Sequence, residues 1–411
     1  MQNKIFDNRI FKAFNQMSIA GISVQILALI LSPILSRVYT IENFGLFGYF
    51  TSLTSLIPVF ASLRLEFAYF IKKEYIEYFL ISSITVSLII SLISSVVVFC
   101  WVSTDISVFL LFSGIFFTST YQIYSQLTIA KLEYKKQSIS RVFQGVVQYS
   151  LVLIFGLFYP NKGLLISYIL GQIIGIAYLA QNLKMEVGSL HWNEEKRILK
   201  ENKSFCVSST ISCALQWSVP LAPMFVGKAI YGTGVIGIYF FIAQSIQAPI
   251  AIIRRSILNI VTSELNNTII FNSIFKPLFF KYYRLFFFLF FAVITSLFSI
   301  TYFYGEQMIG FVFGEQWKLG GTFLCFMVVY YIFDLFLQPF SHLLNLWGYY
   351  KYTYSIQTIQ FLIIYLISLL AGYLNLPFQI YLCLHYSFII FCYVLTLFCV
   401  FYCSKKPKID H

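Results

Sequence analysis

Six residues between positions 330 and 345 have the types and spacing of a functional surface. Tyr330, Asp334, Gln338, Ser341, His342 and Asn345 follow one another at steps of 4, 4, 3, 1 and 3, which puts them on one face of a helix. They sit within an apolar run, 320–346. A carboxylate in such a run is costly, so it faces a bundle interior or a wet cavity rather than lipid. Asp334 comes about 14 residues into the run, roughly 20 Å at 1.5 Å per residue and somewhat past its middle. It could take up an ion, while Gln338, His342 and Asn345 line a cavity beside it. The same spacing also serves hydrogen bonding between packed helices, and both uses stay open. Pro339 can bend the helix there.

A second group is cationic. Arg64 and Arg255 each follow a proline by six residues, Pro58 and Pro249, and Arg254 adds a third guanidinium. Guanidinium forks match phosphate oxygens, so the set is a candidate anion site. An arginine near the end of a span also snorkels to lipid phosphate, which is the plainer use. Glu66 lies two residues from Arg64, on another helical face, and is placed to pair across helices or to sit in the inner headgroup zone. Gln25 and Gln216 are candidate cavity walls in the first and seventh apolar runs.

The elements that hold these residues are membrane spans. Hydrophobic residues make up 59% of the 411-residue chain and charged residues 11%, about half the charge of a soluble domain. Mean hydropathy is +0.79. Apolar runs long enough to cross about 30 Å of hydrocarbon recur at 13–36, 44–70, 79–101, 106–128, 142–159, 163–182, 205–227, 231–255, 282–304, 320–346, 354–374 and 377–402. They do not alternate as barrel strands would. Of 28 Lys and Arg, all but Arg37, Lys162, Lys228, Lys318 and Arg64 then fall on one side. The positive-inside rule puts that side, with both termini, in the cytoplasm. The net charge of +12 is therefore topology rather than a nucleic-acid footprint. The loop expected at 305–319 carries Glu306, Glu315, Trp317 and Lys318, and 256–281 reads as an interfacial helix.

A shift of 191 residues superposes the halves in outline. Ser18 meets Ser209, Gln25 meets Gln216, Arg37 meets Lys228, Pro58 meets Pro249 and Arg64 meets Arg255, and Gly45 meets Gly237 with one residue of slack. An even number of spans per unit makes the copies parallel. The expected fold is all-α and polytopic, with about 12 transmembrane helices as two parallel-repeat six-helix bundles around a central cavity. The bundles are 1–182 and 205–411, joined by a polar cytoplasmic linker, 183–204.

Several classes are excluded by what is missing. There is no Walker loop, GxSxG or dinucleotide fingerprint, so no enzyme and no cofactor is expected. The eight Cys are scattered and the four His widely spaced, so neither a disulfide framework nor a metal site is expected.

The stretch Ser36-Arg37-Val38-Tyr39-Thr40, Glu42-Asn43-Phe44-Gly45-Leu46-Phe47 and Leu63-Arg64-Leu65-Glu66-Phe67-Ala68 resembles the bacterial polysaccharide repeat-unit (O-antigen) flippases. These belong to the multidrug/oligosaccharidyl-lipid/polysaccharide exporter superfamily. The usual pattern has Pro where Ile41 stands. The resemblance covers about 35 residues. It implies a flippase that moves an undecaprenyl-diphosphate-linked oligosaccharide across the inner membrane for O-antigen or other surface polysaccharide (lipopolysaccharide) synthesis. The partners it implies are that lipid-linked glycan, the phospholipid bilayer, a polysaccharide polymerase and a chain-length regulator, with no nucleic acid. Arg64, Arg254 and Arg255 would hold the diphosphate, and Asp334 or Glu66 would couple transport to a proton or sodium gradient. Two alternatives stay open. One is a multidrug exporter of the same superfamily, for which Asp334 suits a cationic substrate. The other is a membrane polysaccharide polymerase or ligase, for which the short outer turns offer little catalytic surface.

Overall fold

The computed structural model describes residues 2–61, 76–101, 106–182, 192–264 and 271–404. Every regular element in them is helical. The order is α1 (Gln2–Val38), α2 (Ile41–Ala61), α3 (Ile76–Trp101), α4 (Val108–Ala130), α5 (Tyr134–Phe158) and α6 (Pro160–Asn182). A long helical stretch, Trp192–Glu264, follows. Gly232 interrupts it at φ 84°, ψ 170°, a backbone conformation that suits only glycine. The break divides the stretch into α7 (192–231) and α8 (233–264). A π-type turn, Phe271–Phe275, leads into α9 (Lys276–Phe313), and α10 (Gly320–Leu346), α11 (Tyr350–Tyr373) and α12 (Phe378–Cys403) complete the series.

Twelve helices match the expected spans in number and order. Ten segments among the described residues are long and apolar enough to cross a membrane. One of them, Thr210–Arg254, has 45 residues. It would be about 67 Å long, roughly two hydrocarbon thicknesses, and the break at Gly232 makes it two crossings.

Two expectations need correction. α9 runs on to Phe313, so the loop expected at 305–319 shrinks to the turn between Gly314 and Leu319. The cause is compositional: from Gln307 to Phe313 no residue is charged, and helix continues until Gly314 takes φ 105°. Trp317, expected as a surface anchor, is fully buried against Phe241, with ring centroids 4.3 Å apart. The polar segment 256–281 is helical where described: α8 continues to Glu264 and α9 begins at Lys276. Of the proposed linker, 192–204 is helical and 183–191 lies outside the described residues.

The chain divides into two compact units, Met1–Trp217 and Ser218–His411. Within unit 1, α4 packs against α3, α5 and α6, and α5 packs against α6. Within unit 2, α10 packs against α9, α11 and α12, and α11 packs against α12. These four pairings of unit 1 thus return six helices later, so the repeat seen in the sequence is in this part also a repeat of helix pairing.

Local chemistry explains the tight turns. Thr40 caps α2, its Oγ1 accepting from the Asn43 amide at 3.3 Å, so α2 starts at Ile41 without the proline of the resembling pattern. Tyr39 is buried and donates its hydroxyl to the Val152 carbonyl at 2.6 Å, tying the α1–α2 turn to α5. In unit 2, α9 and α10 meet at glycines: a Cβ on Gly321 would overlap the backbone of Gly305 and Glu306. Such backbone approach matters in lipid, where apolar burial alone does not drive helices together.

Candidate functional site

The polar centre of unit 2 is built from three helices. Asp334 on α10 is only 2% exposed. Arg254 on α8 donates Nη1–H to Asp334 Oδ2 at 2.7 Å. Tyr393 on α12 donates its hydroxyl to Asp334 Oδ1 at 2.8 Å. Both carboxylate oxygens are therefore engaged by charge-assisted bonds, which offsets the cost of burying the acid. The Arg254 side chain remains 39% exposed.

Aromatic rings enclose this pair. Tyr330, one turn before Asp334, stacks on Tyr386 with centroids 4.5 Å apart and lies 6.5 Å from Tyr393, nearly parallel to both. The hydroxyls of Tyr386 and Tyr239 are 3.0 Å apart. His385 is fully buried beside Tyr381 and Tyr386, and the Tyr381 hydroxyl bonds Ser368 Oγ at 3.1 Å. The result is a layer of tyrosines from α8, α10 and α12 around one ion pair.

The structure joins two residues that the sequence kept apart. Arg254 was a candidate for anions and Asp334 for cations, and they are partners. Gln338 and His342 continue the α10 line, half-buried, with Gln338 Nε2 and His342 Nε2 3.4 Å apart. Ser341 Oγ turns back to the Gln338 carbonyl at 2.7 Å, and Asn345 is exposed one turn further on. Gln25 is half-buried on α1, and Gln216 is exposed on α7. Arg64 and Glu66 lie outside the described residues, as does the side chain of Arg255. The sequence reading missed Tyr239, His385, Tyr386 and Tyr393. Tyr386 and Tyr393 are seven residues apart in one span, two helical turns, and that spacing was the available signal.

Among the described residues of unit 1, the matching α2–α6 contact is made by neutral groups. Tyr168 on α6 meets Phe47 and Phe50 of α2 at centroid distances of 6.2 and 5.8 Å. Thr118 Oγ1 donates to its hydroxyl at 3.3 Å. Nearby, Gln137 Nε2 donates to Ser125 Oγ at 2.6 Å, and Ser140 Oγ donates to the Gly175 carbonyl at 2.9 Å. Among the described residues, no group of three or more His, Cys, Asp and Glu is placed to hold a metal.

No family model and no curated protein matches the sequence. Solved structures do. An inward-facing multidrug resistance MATE family transporter of the MOP superfamily is 13% identical, with 96% of this chain and 95% of that chain covered and a TM-score of 0.59. A MATE structure in complex with MaL6 is 13% identical over 97% of each chain, with a TM-score of 0.58. A point mutant of the Vibrio cholerae MATE transporter VcmN is 13% identical over 97% and 96%, with a TM-score of 0.52. At such identities the likeness is one of fold: this chain has a MATE-like fold, with two repeat bundles. The sequence resemblance pointed to the polysaccharide flippases, and the likeness of fold does not single out that branch.

Proposed function

We propose that the protein is an alternating-access transporter that moves a lipid-linked oligosaccharide, held by its diphosphate, from the cytoplasmic to the periplasmic leaflet of a bacterial inner membrane. The observation that carries this reading is that Asp334 has both oxygens engaged, by Arg254 and Tyr393. An acid so neutralised is poorly suited to select a cationic substrate, whereas the partly exposed Arg254 suits an anion. Arg64 and Arg255 complete the proposed diphosphate set, in keeping with the motif around Arg64. Proton or sodium entry at Asp334 or Glu66 would drive the cycle.

A second reading is export of amphipathic cations. The likeness of the fold to multidrug transporters favours it. In that reading Asp334 parts from Arg254 and receives the cation. Two complementation assays separate them. In a strain lacking its flippase, the wild-type chain restores surface polysaccharide, and the Arg64→Ala, Arg255→Ala double variant at equal expression does not. In a strain lacking its drug exporters, the chain confers no resistance. Resistance that is abolished by Asp334→Asn and untouched by Arg64→Ala would establish cation export instead.

A further inference from the structure

One end of unit 2 carries a basic and aromatic collar that the transport reading does not use. α9 begins at Lys276 and carries Lys276, Lys281 and Arg284 in its first nine residues, ahead of the apolar run that follows. Its underside is fixed to the bundle. Phe271 lies 5.1 Å from Trp347, Phe275 lies 5.7 Å from Phe340, Phe279 lies 5.1 Å from Phe401, and Asn272 Nδ2 donates to the Ser404 carbonyl at 2.7 Å. Its other side is exposed and interleaves cations with apolar groups: Leu278, Lys281, Tyr282, Arg284 and Leu285. Lys281 Nζ sits 5.2 Å from the centroid of the Tyr282 ring. The α10–α11 turn, joined to the same end through Trp347, adds exposed Lys351 with Tyr350 and Tyr352.

The charges on α9 and the α10–α11 turn at this end are of one sign, while α8 ends in Glu264. No Asp or Glu occurs at 271–305 or 335–409. The exposed apolar side chains of the collar run on into the span, where Phe288 and Leu289 are exposed. A soluble partner would not need that continuity, and a lipid leaflet does. We infer that this collar docks anionic phospholipid headgroups, with Lys276, Lys281, Arg284 and Lys351 on the phosphates and Tyr282 and Tyr350 at the interfacial level. Basic groups beside a membrane attract anionic lipid in an additive and salt-sensitive way, and amphipathic rings settle at the headgroups. The inference rests on the fold alone and holds under either substrate.

The test uses the full chain in phosphatidylcholine nanodiscs. Adding phosphatidylglycerol raises the thermal midpoint of the wild type, and high salt removes the rise. Binding of a fluorescent phosphatidylglycerol weakens about fivefold for each cation replaced by Gln. The variant Lys276→Gln, Lys281→Gln, Arg284→Gln, Lys351→Gln shows no rise, and Lys318→Gln, at the other end of unit 2, responds as the wild type does. The inference is overturned if the four-site variant still responds, if inorganic phosphate gives the same rise, or if the wild-type response survives high salt. Should the four-site variant not fold, the single variants Lys281→Gln and Lys351→Gln and the wild-type salt titration decide.

Discussion

The two units share a helix-pairing scheme and differ in what it encloses. In unit 1, Tyr168 meets Phe47, and the neighbouring polar groups are hydroxyls and amides. In unit 2 the same pair of helices, six further on, brings Tyr386 against Tyr239 with a hydroxyl contact. Beside it lies the Arg254–Asp334 pair. Phe47 and Tyr239 are matched in the repeat, each two residues past a glycine in the first turns of its helix, Gly45 or Gly237. A buried ion pair is seldom the most stable filling for such a site, so its presence in unit 2 calls for a reason other than stability, and the proposed transport supplies one.

Breaking the pair should have the largest effect. Asp334→Ala leaves Arg254 without its acid. We expect a loss of about 2 kcal/mol, less than a fully buried pair would cost because Arg254 is partly exposed, together with loss of transport. The thermal midpoint in detergent and the complementation assays read the two effects separately. Replacing both partners with apolar residues, Arg254→Met with Asp334→Leu, should restore most of the stability and none of the transport. That variant leaves unit 2 with a neutral centre.

Tyr393→Phe removes one of the two bonds to Asp334. The expected cost is about 1.5 kcal/mol, as for a hydrogen bond to a charged group, again read as a lowered midpoint. Tyr239→Phe copies the Phe47 arrangement of unit 1 and should cost at most about 1 kcal/mol. A larger loss there would mean that the tyrosine layer and the ion pair act as one network, which double-variant cycles with Tyr393→Phe would measure. Smallest of all, Gln338→Ala should stay within about 0.5 kcal/mol, since its side chain is half-buried and its contact with His342 is long.

Much of this architecture was legible in the residues. Apolar runs gave the helices, and the matches at Gln, Pro and Arg gave the repeat. Asp334 stood out because an acid in hydrocarbon is costly. Its partner could not be read, because Arg254 and Asp334 are 80 residues apart and only packing of α8 on α10 brings them together. The tyrosines were hidden for another reason. In a chain that is 20% aromatic, ring spacing alone does not separate those facing lipid from those enclosing an ion pair. The long α9 was misjudged because Glu306 was read as the start of a loop, although one charge near a helix end does not stop a helix.

The claim that the Arg254–Asp334 pair serves transport rather than stability is tested most directly by exchanging its members. The variant Arg254→Asp with Asp334→Arg is compared with the wild type for thermal midpoint and for transport, in whichever complementation assay the wild type passes. The account predicts a midpoint close to that of the wild type and no transport, because the acid must lie on α10 between Tyr330 and Tyr393. An exchanged chain that transports as well as the wild type would contradict it and reduce the pair to a link between two helices.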